Sequence, residues 1–239
     1  MSHWYIYVII LLVIFAAYGI FLAFKKGKQK GADDLLKLFL VNGYDLKVAG
    51  FKEQNKSVLK NGIVFVGDSI TQDYPLQDFY PWCVVYNRGI GGDTSIGLLK
   101  RLNESVFDLE PSKVVLLIGT NDFGVLNAKV SEVAKRINQI VETIHLHLPN
   151  TKIILESVYP VNISLSDSIR YRSNEDIIEL NKLLAFTKNV TFVDIASLLM
   201  DEDGNLNPQY TVEGLHINAQ GYRVISSALA PYIVKNERM

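Results

Sequence analysis

Short apolar runs rich in β-branched residues recur from residue 60 onward, separated by longer stretches in which apolar residues return every three or four positions. The runs are Ile63 to Val66, Val84 to Tyr86, Val114 to Ile118, Ile153 to Val158 and Val190 to Ile195. Helical periodicity covers Thr94 to Leu102, Val130 to Leu148, Asn174 to Lys188 and Ala219 to Val234, with Pro149-Asn150 closing the second. Strands alternating with helices in this way predict an α/β domain on a parallel sheet of about five strands. Ligands of such sheets collect beyond the carboxyl ends of the strands. Gly67-Asp68-Ser69, Asn87 to Thr94 and Gly119-Thr120-Asn121-Asp122 follow strands there, and Glu213 to His216 precedes the last helix.

One stretch breaks the alternation. Trp4 to Phe24 is an uncharged run of mainly Ile, Leu, Val, Phe and Ala, long enough to cross a bilayer as a helix. It predicts a single N-terminal transmembrane helix, with Trp4, Tyr5 and Tyr7 in one headgroup region and Lys25, Lys26, Lys28 and Lys30 anchoring the other end. A cleaved signal peptide fits less well, because no basic segment precedes the run and no small-x-small site follows it. The lysines place the remainder in the cytoplasm by the positive-inside rule, an outward-facing domain being the alternative. The expected organisation is an anchor over 4–24, a membrane-proximal connector and helix over 25–60 that includes the apolar cluster Leu35 to Val41, and one domain over 61–235.

The 239 residues leave no room for a second full domain. A formal net charge of −1 supplies no global field that would draw the chain to nucleic acid. Cys83 is the single cysteine, which excludes an intramolecular disulfide and a cysteine-based zinc cluster, and it reads as a small buried hydrophobe. His145 and His147 lie two apart on a predicted helix and face different ways, so they make no metal pair. No other cluster has metal-ligand spacing.

Each remaining polar motif has a structural and a chemical reading. Ser69, after a buried strand, is either a helix cap or a nucleophile exposed at a turn whose backbone NH groups face an oxyanion. In Asn87-Arg88-Gly89-Ile90-Gly91-Gly92-Asp93-Thr94 the dinucleotide fingerprint fails, because Thr94 stands where its last glycine belongs, and the Walker spacing fails too. Gly92 serves either a tight turn or the close approach of a backbone NH to developing negative charge. Asn121 is a turn former or a side-chain oxyanion donor. His216 has Glu213 one turn away, so the carboxylate could hold the imidazole tautomer while the other ring nitrogen faces a serine. Asp68, Asp93 and Asp122 in these loops disfavour a phosphate-binding site.

In this order, the four blocks resemble the SGNH, or GDSL-type, hydrolase family: Ser69 in GDSIT, Gly92 in GIGGDT, Asn121 in GTND and His216 in EGLH, across residues 60–234. The resemblance implies a three-layer α/β/α, flavodoxin-like fold with a shallow, open site and neither metal nor cofactor. The wording is most similar to the branch holding platelet-activating-factor acetylhydrolase subunits and lysophospholipase-like esterases. It further implies a carboxylic ester hydrolase acting through an acyl-enzyme on a small-molecule or lipid ester. Ser69 would be the nucleophile, His216 the base, Glu213 the acid, and the Ser69 and Gly92 NH groups with Asn121 the oxyanion hole. Ile70 replaces the Leu of GDSL, and Glu213 stands where the family usually has Asp; Asp201 and Asp203 are the other candidate acids. Acyl transfer to a sugar or alcohol and a carbohydrate O-acetyl esterase are alternatives on the same residues, and a non-catalytic membrane-tethered binding module that keeps the fold is a third, against which the intact set of four argues. Asp73 to Trp82 and Asn162 to Asn174 do not fix the substrate.

Overall fold

A computed structural model describes residues 43–169 and 171–233, together with Tyr18, Leu22, 25–28 and 30–31. The chain divides into two units, Met1–Asp45 and Leu46–Met239. Apart from Tyr18 and Leu22, the span expected over 4–24 lies outside the described residues, as does the cluster Leu35 to Val41. Among the described residues no helix is long and apolar enough to cross a membrane.

The second unit holds a five-stranded parallel sheet in the order β2-β1-β3-β4-β5. Its strands are β1 (Ile63–Gly67), β2 (Val85–Gly89), β3 (Lys113–Leu117), β4 (Lys152–Glu156) and β5 (Val190–Val193). The inner strands β1 and β3 are largely continuous apolar runs buried on both faces, as a parallel sheet requires. In β1, Val64 and Val66 enter one core layer while Ile63 and Phe65 enter the other. Val114 and Leu116 of β3 oppose Val115 and Leu117 in the same way.

Helices cover both faces. On one lie α4 (Ser95–Lys100), α5 (Leu102–Ser105), α7 (Val130–His147) and α8 (Asn174–Leu184), contributing Leu98, Leu102, Ile137, Ile144 and Leu180. On the other lie α2 (Ser69–Gln72), α3 (Leu76–Phe79), α9 (Ala196–Leu199) and α10 (Ala219–Ile233), contributing Ile70, Leu76, Leu199, Ile225 and Leu229. The result is a three-layer α/β/α fold. α7 starts where Lys129 NH donates to Glu132, and it buries Val133, Ile137, Ile140, Val141 and Ile144 on one stripe. Ser173 caps α8 by accepting from Asp176 NH at 3.3 Å. Residues 46–54 are helical (α1) and belong to the same unit as the sheet, where Phe51 is buried under the Arg88 guanidinium at 4.8 Å.

Two expected elements and one expected burial differ. The second strand runs Val85–Gly89 rather than Val84 to Tyr86, so Asn87 and Arg88 are strand residues and not loop. β2 is an edge strand, and Asn87 ties it to the neighbouring turn by donating to the Thr71 carbonyl at 2.7 Å. The helix expected over Thr94 to Leu102 breaks at Arg101, a residue shared by the ends of α4 and α5 whose side chain is drawn into the interior. Cys83 is half-buried, not interior. It borders a groove of about 1110 Å³ at the amino-terminal ends of the strands, away from the loops that carry the motifs.

Between the layers, burial raises the Glu156 carboxyl from 4.5 to about 7, although Tyr159 OH donates to it at 2.5 Å; nearby Asp68 adds to the rise. A carboxyl raised in the folded state contributes stability that is present below pH 4.5 and lost as pH climbs through about 7. Glu156→Gln should therefore flatten the fall in unfolding free energy over that window, removing about 3 kcal/mol of pH dependence in urea titrations. Parallel curves for parent and variant would refute the assignment.

Candidate active site

Ser69 is the first residue of α2, set directly after β1 with Asp68 as its cap. Asp68 Oδ1 accepts from Ile70 NH at 3.0 Å, while Oδ2 is buried without a hydrogen-bond partner among the described residues. Burial raises this carboxyl to about 7, against the Ile70 hydrogen bond. The turn points the Ser69 hydroxyl at His216, with Oγ 3.0 Å from Nε2. His216 Nδ1 lies 2.8 Å from Glu213 Oε1, the same oxygen that accepts His216 NH at 3.0 Å. An ionised carboxylate only accepts, so the proton belongs on Nδ1 and Nε2 is left to accept from the serine.

The three-residue spacing closes because of a local turn. Gly214 has φ +97, and a Cβ there would fall 2.2 Å from the Asn162 carbonyl oxygen, so a side chain is excluded twice over. Thr211 Oγ1 accepts from Gly214 NH at 2.8 Å and donates to the His216 carbonyl at 2.7 Å. Asn162 NH binds the Gly214 carbonyl at 2.8 Å, fastening this turn to the loop after β4. Glutamate in place of the family's usual aspartate therefore still reaches the imidazole. Asp201 is spent on its own loop, accepting from Asp203 NH and Asn205 NH at 3.0 and 2.8 Å.

Gly92 has φ +74 in the loop after β2, beside Ser69: a Cβ on neighbouring Gly91 would stand 4.0 Å from the Ser69 Cβ. Among the described residues neither Ser69 NH nor Gly92 NH meets an intramolecular acceptor. Asn121, in α6 (Thr120–Gly124) after β3, is buried, and its Nδ2 donates to the Asp93 carbonyl at 3.0 Å. The structure thus brings Ser69, His216 and Glu213 into one hydrogen-bonded chain and sets Gly92 and Asn121 on the adjoining loops. His145 and His147 are elsewhere, on α7, where His147 stacks on Phe107 at 4.4 Å.

Buried charged residues hold these loops, Arg101 and Arg172 among them without any signal in the local sequence pattern. Asp122 accepts from Ser95 NH, Ser95 Oγ and Arg136 Nη1 at 2.9, 2.5 and 2.8 Å, joining the loops after β2 and β3. Arg101 binds Asp93, Gly67, Arg88 and Ser105. Arg172 contacts Thr120 and Asn121. The aspartates at 93 and 122 are thereby occupied by arginines. Burial still pushes the Asp93 carboxyl up, against Arg101.

Comparison with known proteins gives concordant results. Residues 65–224 match the GDSL-like Lipase/Acylhydrolase family. The chain is similar to the rat platelet-activating factor acetylhydrolase IB subunit alpha2, 30% identical over 181 residues that cover 72% of this chain and 76% of that protein. A protein of known structure from Streptococcus pneumonia is 32% identical with a TM-score of 0.79, covering 86% of this chain and 99% of that one. A GDSL-like lipase from Bacteroides thetaiotaomicron is 26% identical with a TM-score of 0.67, covering 78% and 96%.

Proposed function

Since the chain belongs to the GDSL-like lipase/acylhydrolase family and is a hydrolase, we propose that it cleaves carboxylic esters through an acyl-enzyme on Ser69. The observation that carries this reading is the chain of contacts from Ser69 Oγ to His216 Nε2 at 3.0 Å and from Nδ1 to Glu213 at 2.8 Å. Ser69 Oγ bonds to the ester carbonyl carbon as its proton passes to His216 Nε2, and Glu213 stabilises the imidazolium. The oxyanion is held by the Ser69 and Gly92 NH groups and the Asn121 amide. His216 then gives its proton to the leaving alkoxide. Water repeats the sequence on the acyl-enzyme: its proton passes to His216 as its oxygen bonds to the acyl carbon, and His216 returns the proton to Ser69 Oγ as that bond breaks and the carboxylic acid leaves. A short acyl group is favoured by the acetylhydrolase name of the rat relative.

A membrane tether at residues 4–24, with the hydrolase unit on the cytoplasmic side, completes the proposal. It is supported by the uncharged run and the lysines that follow it. One experiment reads both parts. A fluorophosphonate probe applied to membranes of expressing cells, which are then washed with alkali, should leave the chain modified at Ser69, mapped by peptide mass, in the pellet. A probe adduct on another residue, or none, overturns the serine reading; a labelled chain released into the wash overturns the tether.

A further inference from the structure

Asn121 can serve as an oxyanion donor only if its carboxamide presents nitrogen, not oxygen, to the site. The two ends of a carboxamide have nearly the same shape, and a half-turn exchanges donor for acceptor. Two opposite constraints remove that freedom here. Arg172 Nη2, a group that can only donate, lies 2.8 Å from Asn121 Oδ1. The Asp93 carbonyl, which can only accept, lies 3.0 Å from Nδ2. Turning the amide over would set oxygen against oxygen at Asp93 and NH against NH at Arg172. With one Nδ2 hydrogen on Asp93, the other is left for substrate.

Arg172 is itself held. It is buried, its Nε donates to Thr120 O and Thr120 Oγ1 at 3.2 Å each, and Ser173 directly after it caps α8. Its guanidinium lies flat over Gly124, where an added Cβ would come within 2.4 Å of Cζ. Among the described residues no carboxylate pairs with it. Its firm side-chain contacts are to the first two residues of α6, Thr120 and Asn121, so this arginine is built around the Asn121 end of the site.

We propose that Arg172 is a positioning residue for the oxyanion hole, fixing the Asn121 carboxamide with its NH2 toward the developing oxyanion. The inference rests on the reading of Asn121 given above. Its test is a double-mutant cycle in the full-length protein with p-nitrophenyl acetate. Arg172→Met should lower kcat roughly 10- to 100-fold while KM changes less than about 2-fold, because a transition-state donor is lost and ground-state binding is not. In an Asn121→Ala background the same substitution should cost nothing further, since the group it orients is gone. Arg172→Lys should not restore kcat, because one ammonium cannot reproduce the planar fork over Thr120 and Asn121. Where Arg172→Met does not fold, Gly124→Ala displaces the guanidinium with the charge retained and should give the same kcat loss and the same lack of additivity. A kcat within 2-fold of the parent, or a loss that multiplies fully with Asn121→Ala, overturns the role of Arg172. If Asn121→Ala alone leaves kcat unchanged while Ser69 labels, it is the donor reading of Asn121 that fails.

Discussion

Ser69→Ala should reduce kcat/KM for p-nitrophenyl acetate by roughly a hundred-thousand- to a million-fold, leaving only the residual catalysis that binding and the oxyanion donors supply. The size follows from the geometry. Among the described residues Ser69 Oγ makes one hydrogen bond, to His216 Nε2 at 3.0 Å, so alanine removes the bond-forming atom and breaks no other hydrogen bond there. The cap of α2 is made by Asp68 and Ile70 and remains. Unfolding free energy should therefore stay within about 0.5 kcal/mol of the parent, the range of substitutions that touch no buried network. A folded Ser69→Ala protein with more than about a hundredth of parental activity would mean that another nucleophile does the work.

How much of this could be read from the chain depends on the distance over which each feature is specified. β1 and β3 are legible because burial on both faces forces continuous apolar residues, visible in any short window. The Glu213–His216 pair is legible for a similar reason: its partners are three residues apart and Gly214 marks the turn between them. Local pattern places the second strand one residue early and ends it short because its carboxyl half is polar. Asn87 and Arg88 earn their place in β2 through contacts to Thr71 and Asn55, which no local period encodes. The same limit hid Arg172, whose partners Thr120 and Asn121 lie more than fifty positions away. An arginine inside the segment 162–174 looks like a solvated loop charge until the fold sets it behind Asn121. Ser69, Gly92, Asn121 and His216 are legible through motif order, which carries the long-range information that periodicity lacks.

Arg101 is where such a hidden contact has the largest effect on the fold. It is nearly unexposed, at 1%, and it spends its guanidinium on four separate pieces of chain: Nε on Asp93 at 2.8 Å, Nη1 on the Arg88 carbonyl and Ser105 Oγ at 2.7 Å each, and Nη2 on the Gly67 carbonyl at 2.8 Å. Gly67 immediately precedes the Asp68-Ser69 turn, Arg88 is in β2 and Asp93 follows Gly92, so one side chain spans the two loops on which the nucleophile and the oxyanion glycine sit. The pair with Asp93 is not stabilising merely by being ionic, because both charges lose water on burial. Removing one partner is a different matter: Arg101→Met leaves the buried Asp93 carboxylate without its counter-ion, held by Thr94 NH at 2.8 Å, and takes a donor from the Arg88 carbonyl and from the Gly67 carbonyl, which keeps Ile90 NH at 3.1 Å. The expected loss is about 3–5 kcal/mol in urea unfolding, and a fall of about 10 °C or more in Tm for a domain of this size. Adding Asp93→Asn should recover part of that loss, since a neutral amide is cheaper to bury and the Asp93 backbone carbonyl that orients Asn121 is unchanged. Arg101→Met with stability within 1 kcal/mol of the parent would show that the four contacts are replaceable by water, and that the two loops are held by the Asp122 network instead.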